Sequence, residues 1–184
     1  MEKEDAKLVA EFLNGSEEAF EQLVNRYLKA IYNFLYQFTQ DMDSLDDLTQ
    51  ETFIKAWKNI RKFDSEKNFK TWIFTIAKNT AYDFLKKKKT IPFSNFLDED
   101  GKNQLEKVVE DGPRLEEVLD RQDVEKKLGE KLQEVPANYR IILLMHYKDD
   151  FSLQEIAEIL NLSYNTVKSQ HARALASLKK TFQA

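Results

Sequence analysis

The sequence predicts an all-α protein: an N-terminal four-helix domain, a flexible acidic linker and a C-terminal helix-turn-helix domain. Three observations predict it. Apolar residues recur at three- and four-residue steps through the first ninety positions and again from about position 124, the spacing that lines one face of a helix. The chain of 184 residues has only 4 Gly and 3 Pro, so strand-and-turn architectures lack their turn residues. Between the two periodic regions the pattern lapses. The expected boundaries are 1–90 for the first domain, 91–123 for the linker and 124–184 for the second domain.

Each element follows in order. Leu8, Val9, Phe12 and Leu13 outline a short helix that stops at Asn14-Gly15. Ser16 is placed to cap the next helix, because its hydroxyl can accept an orphan backbone N–H. Phe20, Leu23, Val24, Tyr27, Ile31, Phe34, Leu35 and Phe38 form that helix's apolar stripe. A third helix, starting near Asp43 or Ser44, is expected to bury Leu45, Leu48, Phe53, Ala56, Trp57 and Ile60. A polar connection over 61–68 leads to a fourth helix with Phe69, Trp72, Ile73, Ile76, Phe84 and Leu85, which runs into Lys86-Lys87-Lys88-Lys89.

In the linker, Asp98-Glu99-Asp100-Gly101 and Asp111-Gly112-Pro113 are breakers, and Leu115, Val118 and Leu119 can begin a helix. Beyond it, Val124, Leu128 and Leu132 share one helical face. Pro136 to Tyr139 reads as a turn, and Ile141 to Tyr147 as an apolar helix broken by Asp149-Asp150. Ser152 caps a helix holding Leu153, Ile156, Ala157 and Leu160. Asn161-Leu162-Ser163 turns the chain, and Thr166 to Leu178 is the last helix.

The net charge of −4 conceals a strong asymmetry. Residues 1–54 carry 4 basic and 12 acidic side chains, whereas residues 55–90 carry 11 and 3. The stretch 91–134 carries 7 and 13, and the remainder 6 and 4. A positive footprint of the kind that meets nucleic acid therefore lies inside an acidic protein. From Ile159 onward no acidic residue occurs. The absence of Cys excludes disulfides and thiolate chemistry and suits a reducing compartment. The charged start, Met1 to Asp5, has no apolar signal core, and no run of about 18 apolar residues occurs, so the chain reads as cytoplasmic with no membrane insertion.

Three constellations bear on function. The sharpest is Ser152 to Leu178, where Ala157, Leu162 and Val167 fit the helix crossing, the turn and the second-helix anchor of a helix-turn-helix. Asn161 suits the left-handed conformation such a turn needs. Tyr164, Asn165, Thr166, Lys168, Ser169, Gln170 and Arg173 then remain to donate to phosphates or read base edges. An ordinary helical hairpin with a solvated face would show similar spacing.

The second constellation is the basic–aromatic block from Lys55 to Lys89, with Phe63, Phe69, Trp72, Phe74 and Tyr82, a mix found on single-strand surfaces. Phe69, Trp72, Ile73 and Ile76 sit at helical spacing, which more often marks a core, and the lysine run also suits a solvated helix end. The third is the acidic face of Asp46, Asp47, Gln50 and Glu51, opposite or beside the apolar stripe of the same helix. It is either a helix start favoured by the dipole or a docking face for a basic partner.

Catalysis finds little support. His146 and His171 stand in no metal or triad spacing, and Gly15, Gly101, Gly112 and Gly129 are too scattered for a phosphate loop. No catalytic residue, metal or cofactor is expected.

In order, the blocks are Glu18-Ala19-Phe20 with Leu23-Val24; Asp46-Asp47-Leu48-Thr49-Gln50-Glu51-Thr52-Phe53 into Ala56-Trp57; and Phe69-Lys70-Thr71-Trp72-Ile73 with Ile76-Ala77-Lys78-Asn79 and Asp83. Val135-Pro136-Ala137-Asn138-Tyr139-Arg140 follows, then Ser152-Leu153-Gln154-Glu155-Ile156-Ala157 with Thr166-Val167-Lys168-Ser169. This series resembles an extracytoplasmic-function (ECF) RNA polymerase sigma factor, the minimal two-domain branch of the housekeeping sigma family. The resemblance covers nearly the whole chain except the linker.

It implies that Asp47, Gln50 and Glu51, flanked by Asp46 and Trp57, grip the β′ clamp of core RNA polymerase. It implies that Phe63, Asn68, Phe69, Lys70, Lys78, Asn79, Lys86 and Lys87 open and hold the −10 element of promoter DNA, with an extruded base in a protein pocket. The second domain would sit on the β flap and place Tyr164 to Arg173 in the −35 major groove. The linker would thread the RNA exit path, and an anti-sigma factor would hold the protein inactive. The sequence departs from the family at Gln170 and Lys78, where Arg is frequent, and at His171, where an apolar residue is usual. The alternative is a free-standing helix-turn-helix regulator, which leaves the acidic face and the basic–aromatic block without a joint role.

Overall fold

The computed structural model describes residues 2–39, 41–87 and 124–182. The linker expected over 91–123, with its suggested helix start at Leu115, Val118 and Leu119, lies outside them. All regular structure among the described residues is helical, and the chain divides into two compact units.

The first unit holds α1 (Glu2–Leu13), α2 (Glu17–Leu35), α3 (Met42–Asn59) and α4 (Phe69–Lys87), with a short 3₁₀ turn, Ile60–Lys62, after α3. The end of α1 is set by Gly15 at φ +104, a region where a Cβ is strained. Its N–H donates to the Phe12 carbonyl at 2.9 Å and that of Ser16 to Glu11 at 3.0 Å, the paired bonds that close a helix C-terminus. Ser16 stands at the N-cap of α2 as expected, but its hydroxyl makes no cap bond and instead donates to Glu18 Oε2 at 3.4 Å. Glu17 and Glu18 favour that first turn through the helix dipole.

The buried stripe of α2, Ala19, Leu23, Tyr27, Ile31, Phe34 and Leu35, lets it pack against α1, α3 and α4. From α3 the core receives Leu45, Leu48, Phe53 and Ala56, together with Thr49 and Thr52. Those two hydroxyls donate to carbonyls one turn back, Leu45 and Leu48, each at 2.8 Å, so their burial leaves no donor unmade. Phe34 meets Phe74 of α4 with ring centroids 5.2 Å apart. A buried carboxylate anchors α1: Asp5 accepts from the Arg26 guanidinium and from the Tyr27 hydroxyl of α2. One core expectation fails. Trp57 is 53% exposed, because it falls seven residues beyond Gln50 on the outer face of α3 rather than on the stripe of Leu45, Leu48 and Ala56.

The second unit consists of α5 (Val124–Gln133), α6 (Ala137–Tyr147), most of α7 (Leu153–Leu160) and α8 (Tyr164–Thr181). Val135, Leu143 and Ala174 form a buried cluster, flanked by Leu132, Tyr139 and Leu178, and α6 lies along α8. Pro136 to Tyr139 is not a separate turn. Pro136 is the N-cap of α6, and its carbonyl accepts from the N–H groups of Tyr139 and Arg140, both at 2.9 Å. A proline at a helix start loses no bond, since the first N–H groups of a helix have no intrahelical partner. Asp150 adopts φ +55 just after α6 ends, consistent with a break at Asp149-Asp150.

Candidate nucleic-acid interface

The turn between α7 and α8 is built by local hydrogen bonds that the sequence spells out. Ser152 and Glu155 form a reciprocal box at the start of α7: the Ser152 N–H donates to Glu155 Oε2 at 2.8 Å, and the Glu155 N–H to Ser152 Oγ at 3.2 Å. Asn161 takes φ +57, and the Leu162 N–H donates back to the Ala157 carbonyl at 2.9 Å, closing α7. Ser163 Oγ then accepts from the Thr166 N–H at 3.0 Å and caps α8. The Thr166 hydroxyl bonds to that same Ser163 oxygen at 2.8 Å.

On α8, Val167, Gln170 and Ala174 are buried at steps of three and four. Tyr164, Asn165, Lys168, Ser169 and Arg173 are exposed on the other side, with Thr166 between. Gln170 is therefore a correction to the expected reading set. It is 3% exposed, because it shares the stripe by which α8 packs on α6, and a side chain there meets protein rather than a groove.

His171 lies beside that seam. Its Nε2 is 3.2 Å from the Tyr147 hydroxyl of α6, and its ring meets His146 edge-on at 5.1 Å. His146 in turn holds the Phe151 carbonyl through Nδ1 at 2.7 Å. Burial, and then the neighbouring His146, push the His171 pKa down from its ordinary value.

In the first unit, the rings of Phe63, Phe69 and Trp72 pack on one another, with centroids 5.1–5.6 Å apart. Phe63 and Phe69 are buried, and Tyr27 covers Phe69 from α2. Their faces are occupied by each other, so as placed they brace the loop before α4 and do not stack on a base. Asn68 closes the same loop: its Oδ1 accepts from the Lys70 N–H at 2.8 Å and the Thr71 N–H at 3.4 Å, capping α4. Lys78, expected at the −10 element, also departs from that reading. It is 6% exposed, its ammonium sits 4.7 Å over the Tyr82 ring, and burial lowers its pKa. That leaves Lys70 and Trp72 half-exposed and Asn79, Lys86 and Lys87 open to solvent on α4, with Trp72, Asn79 and Lys86 on one side of the helix and Lys70 on the other.

The acidic face of α3 is a surface of a different kind. Asp46, Asp47, Gln50 and Glu51 are all exposed. Steps of three and four extend the same side to Ile54, 50% exposed, and to Trp57. Ile54 was missed by sequence reasoning, although its place seven residues after Asp47 marks it. An exposed stripe that is acidic at one end and apolar at the other suits a partner with a basic and apolar surface. Among the described residues no group of His, Cys, Asp and Glu could hold a metal, and no helix is long and apolar enough to cross a membrane.

The pairing of a four-helix unit with a helix-turn-helix unit, in this order, defines a class that comparison identifies. Residues 23–91 match sigma-70 region 2, and residues 125–178 match sigma-70 region 4. The chain belongs to the sigma-70 family of RNA polymerase sigma factors, in its extracytoplasmic-function branch. The ECF RNA polymerase sigma factor SigW of Bacillus subtilis (strain 168) is 31% identical over 182 residues, spanning 98% of this chain and 97% of that protein. Among solved structures, the fold matches CnrH in complex with the cytosolic domain of CnrY with a TM-score of 0.66 at 23% identity, over 98% of this chain and 97% of that one. It also matches the sigma factor RpoE of Bartonella quintana, solved with the anti-sigma factor NepR, with a TM-score of 0.63 at 27% identity, over 90% of this chain and 97% of that one.

Proposed function

We propose that this chain directs core RNA polymerase to specific promoters and helps initiate transcription, acting in the cytoplasm and performing no covalent chemistry of its own. What carries the reading is the succession of a region 2 unit and a region 4 unit along one chain. In the first unit, Asp46, Asp47, Gln50, Glu51 and Trp57, with Ile54, dock on the β′ clamp. Asn68, Lys70, Asn79, Lys86 and Lys87 follow the backbone and an extruded base of the −10 element, on a loop stiffened by Phe63, Phe69 and Trp72. Tyr164, Asn165, Thr166, Lys168, Ser169 and Arg173 enter the −35 major groove, with the second unit seated on the β flap. The match to a sigma factor solved with an anti-sigma factor supports a similar inhibitor here.

The exposure pattern supports this division. The face of α3 that bears Asp46, Asp47, Gln50, Glu51, Ile54 and Trp57 is open and carries no basic side chain, while the side chains left open on α4 and α8 are largely basic or hydrogen-bonding. Unstacking a promoter base costs a few kcal/mol, which pocket contacts and phosphate neutralisation on α4 would offset. Run-off transcription with purified core polymerase tests the reading. Promoter-specific transcripts are expected only when the chain is added. Tight binding of the free chain to promoter duplex, without stimulation of core polymerase, would replace it with the free-standing regulator.

A further inference from the structure

Lys55 belongs to neither surface, yet its ammonium lies where the two helices that bear them meet. Its Nζ is 2.9 Å from Glu51 Oε1, one turn earlier on α3. On α4 it is 3.2 Å from Thr80 Oγ1 and 3.5 Å from Asp83 Oδ2. An ammonium has three donors and no acceptor, so these three oxygens fill its capacity. One of them belongs to the expected docking face and two to the helix expected to meet the melted strand.

Stability does not explain the arrangement. The Lys55 side chain is 33% exposed, Glu51 47% and Asp83 63%, and exposed ion pairs contribute little to folding. The chemistry of exchange does explain it. A basic partner group that takes Glu51 must take it from Lys55. The displaced ammonium then has Asp83 and Thr80 left, both on α4, and closing on them fixes the side chains flanking Asn79.

We propose that Lys55 is a positioning residue that couples docking on α3 to the setting of α4 for single-stranded DNA. The proposal rests on the docking role of Glu51 given above. It has a distinctive sign. Lys55 competes with the partner for Glu51, so it opposes docking, whereas it favours strand binding once docking has occurred.

The test measures two affinities for the full chain and its Lys55→Met and Lys55→Arg variants: binding to core polymerase at low salt, and binding of a fluorescent single-stranded −10 oligonucleotide by holoenzyme assembled with saturating chain. In Lys55→Met the first should tighten and the second weaken, each by about 2–5-fold, the range one exposed ion pair supports. Lys55→Arg should return both toward the parent values. A destabilised fold cannot move the two in opposite directions. If both affinities fall together, or neither moves, Lys55 is a brace or a bystander and the coupling is overturned. Glu51→Gln in the first assay separates the two claims. Loss of core binding there with no sign reversal in Lys55→Met sinks only the coupling, whereas unchanged core binding removes the docking role of Glu51 and the coupling with it.

Discussion

At the scale of single residues, exposure sorts side chains that the sequence alone treats alike. Gln50 and Glu51 are open on α3, and the Glu51–Lys55 pair is too solvated to hold the fold. The double change Gln50→Ala with Glu51→Ala should therefore abolish co-purification with core polymerase while shifting unfolding free energy by no more than about 1 kcal/mol. Retained co-purification would show that the clamp does not use this face. On α8, Lys168 and Arg173 are exposed and basic. Replacing either with Ala should weaken −35 duplex binding by the holoenzyme and reduce the slope of log K against log salt by about 0.9 per lost phosphate contact. A parallel loss at every salt concentration would argue that neither side chain meets a phosphate. Gln170 is the contrast. The spacing of Val167, Gln170 and Ala174 places it on the buried stripe, whereas its polarity alone suits a groove.

At the scale of elements, the turns set how each helix presents its face. Asn161 at φ +57 closes α7 and lets Ser163 begin α8. A β-branched residue does not tolerate that conformation, so Asn161→Val should cost about 1–2 kcal/mol in denaturant unfolding, whereas Asn161→Gly should cost much less. Equal losses would mean that the Asn side chain, not the backbone, governs the turn.

The α6–α8 seam carries a pH dependence. The folded chain disfavours protonation of His171, so in this region the unfolded state binds more protons and stability rises with pH. The contribution is fully present above the ordinary value of 6.5 and is lost as pH falls through the lower folded value. Unfolding of the second unit should become easier between neutral and mildly acidic pH, and His171→Gln should flatten that slope. An unchanged slope in the variant would place the acid sensitivity elsewhere.

At the scale of the whole molecule, charge is divided by task. The total of −4 conceals a run from 55 to 90 with 11 basic and 3 acidic residues. A chain acidic overall resists unguided adsorption to DNA, while its basic helices act once polymerase has brought them to a promoter. The free chain should therefore bind promoter duplex weakly at physiological salt, and addition of core polymerase should raise the affinity steeply in an electrophoretic or anisotropy assay. Strong specific binding without polymerase would contradict this division.

The amino-acid sequence by itself determined the all-helical class, the two units, the turn chemistry around Ser152, Asn161 and Ser163, and the family. Those features depend on short-range rules: periodicity, capping and the conformational reach of single residues. Only the tertiary structure decided which members of the candidate sites are available. Phe63 and Phe69 close on each other and on Trp72, Lys78 folds back over Tyr82, and Gln170 turns to α6. Trp57, expected inside, is left out in solvent. Whether an aromatic ring or a long cation faces protein or water depends on partners distant in sequence. Local pattern has no information about them until the helices are packed.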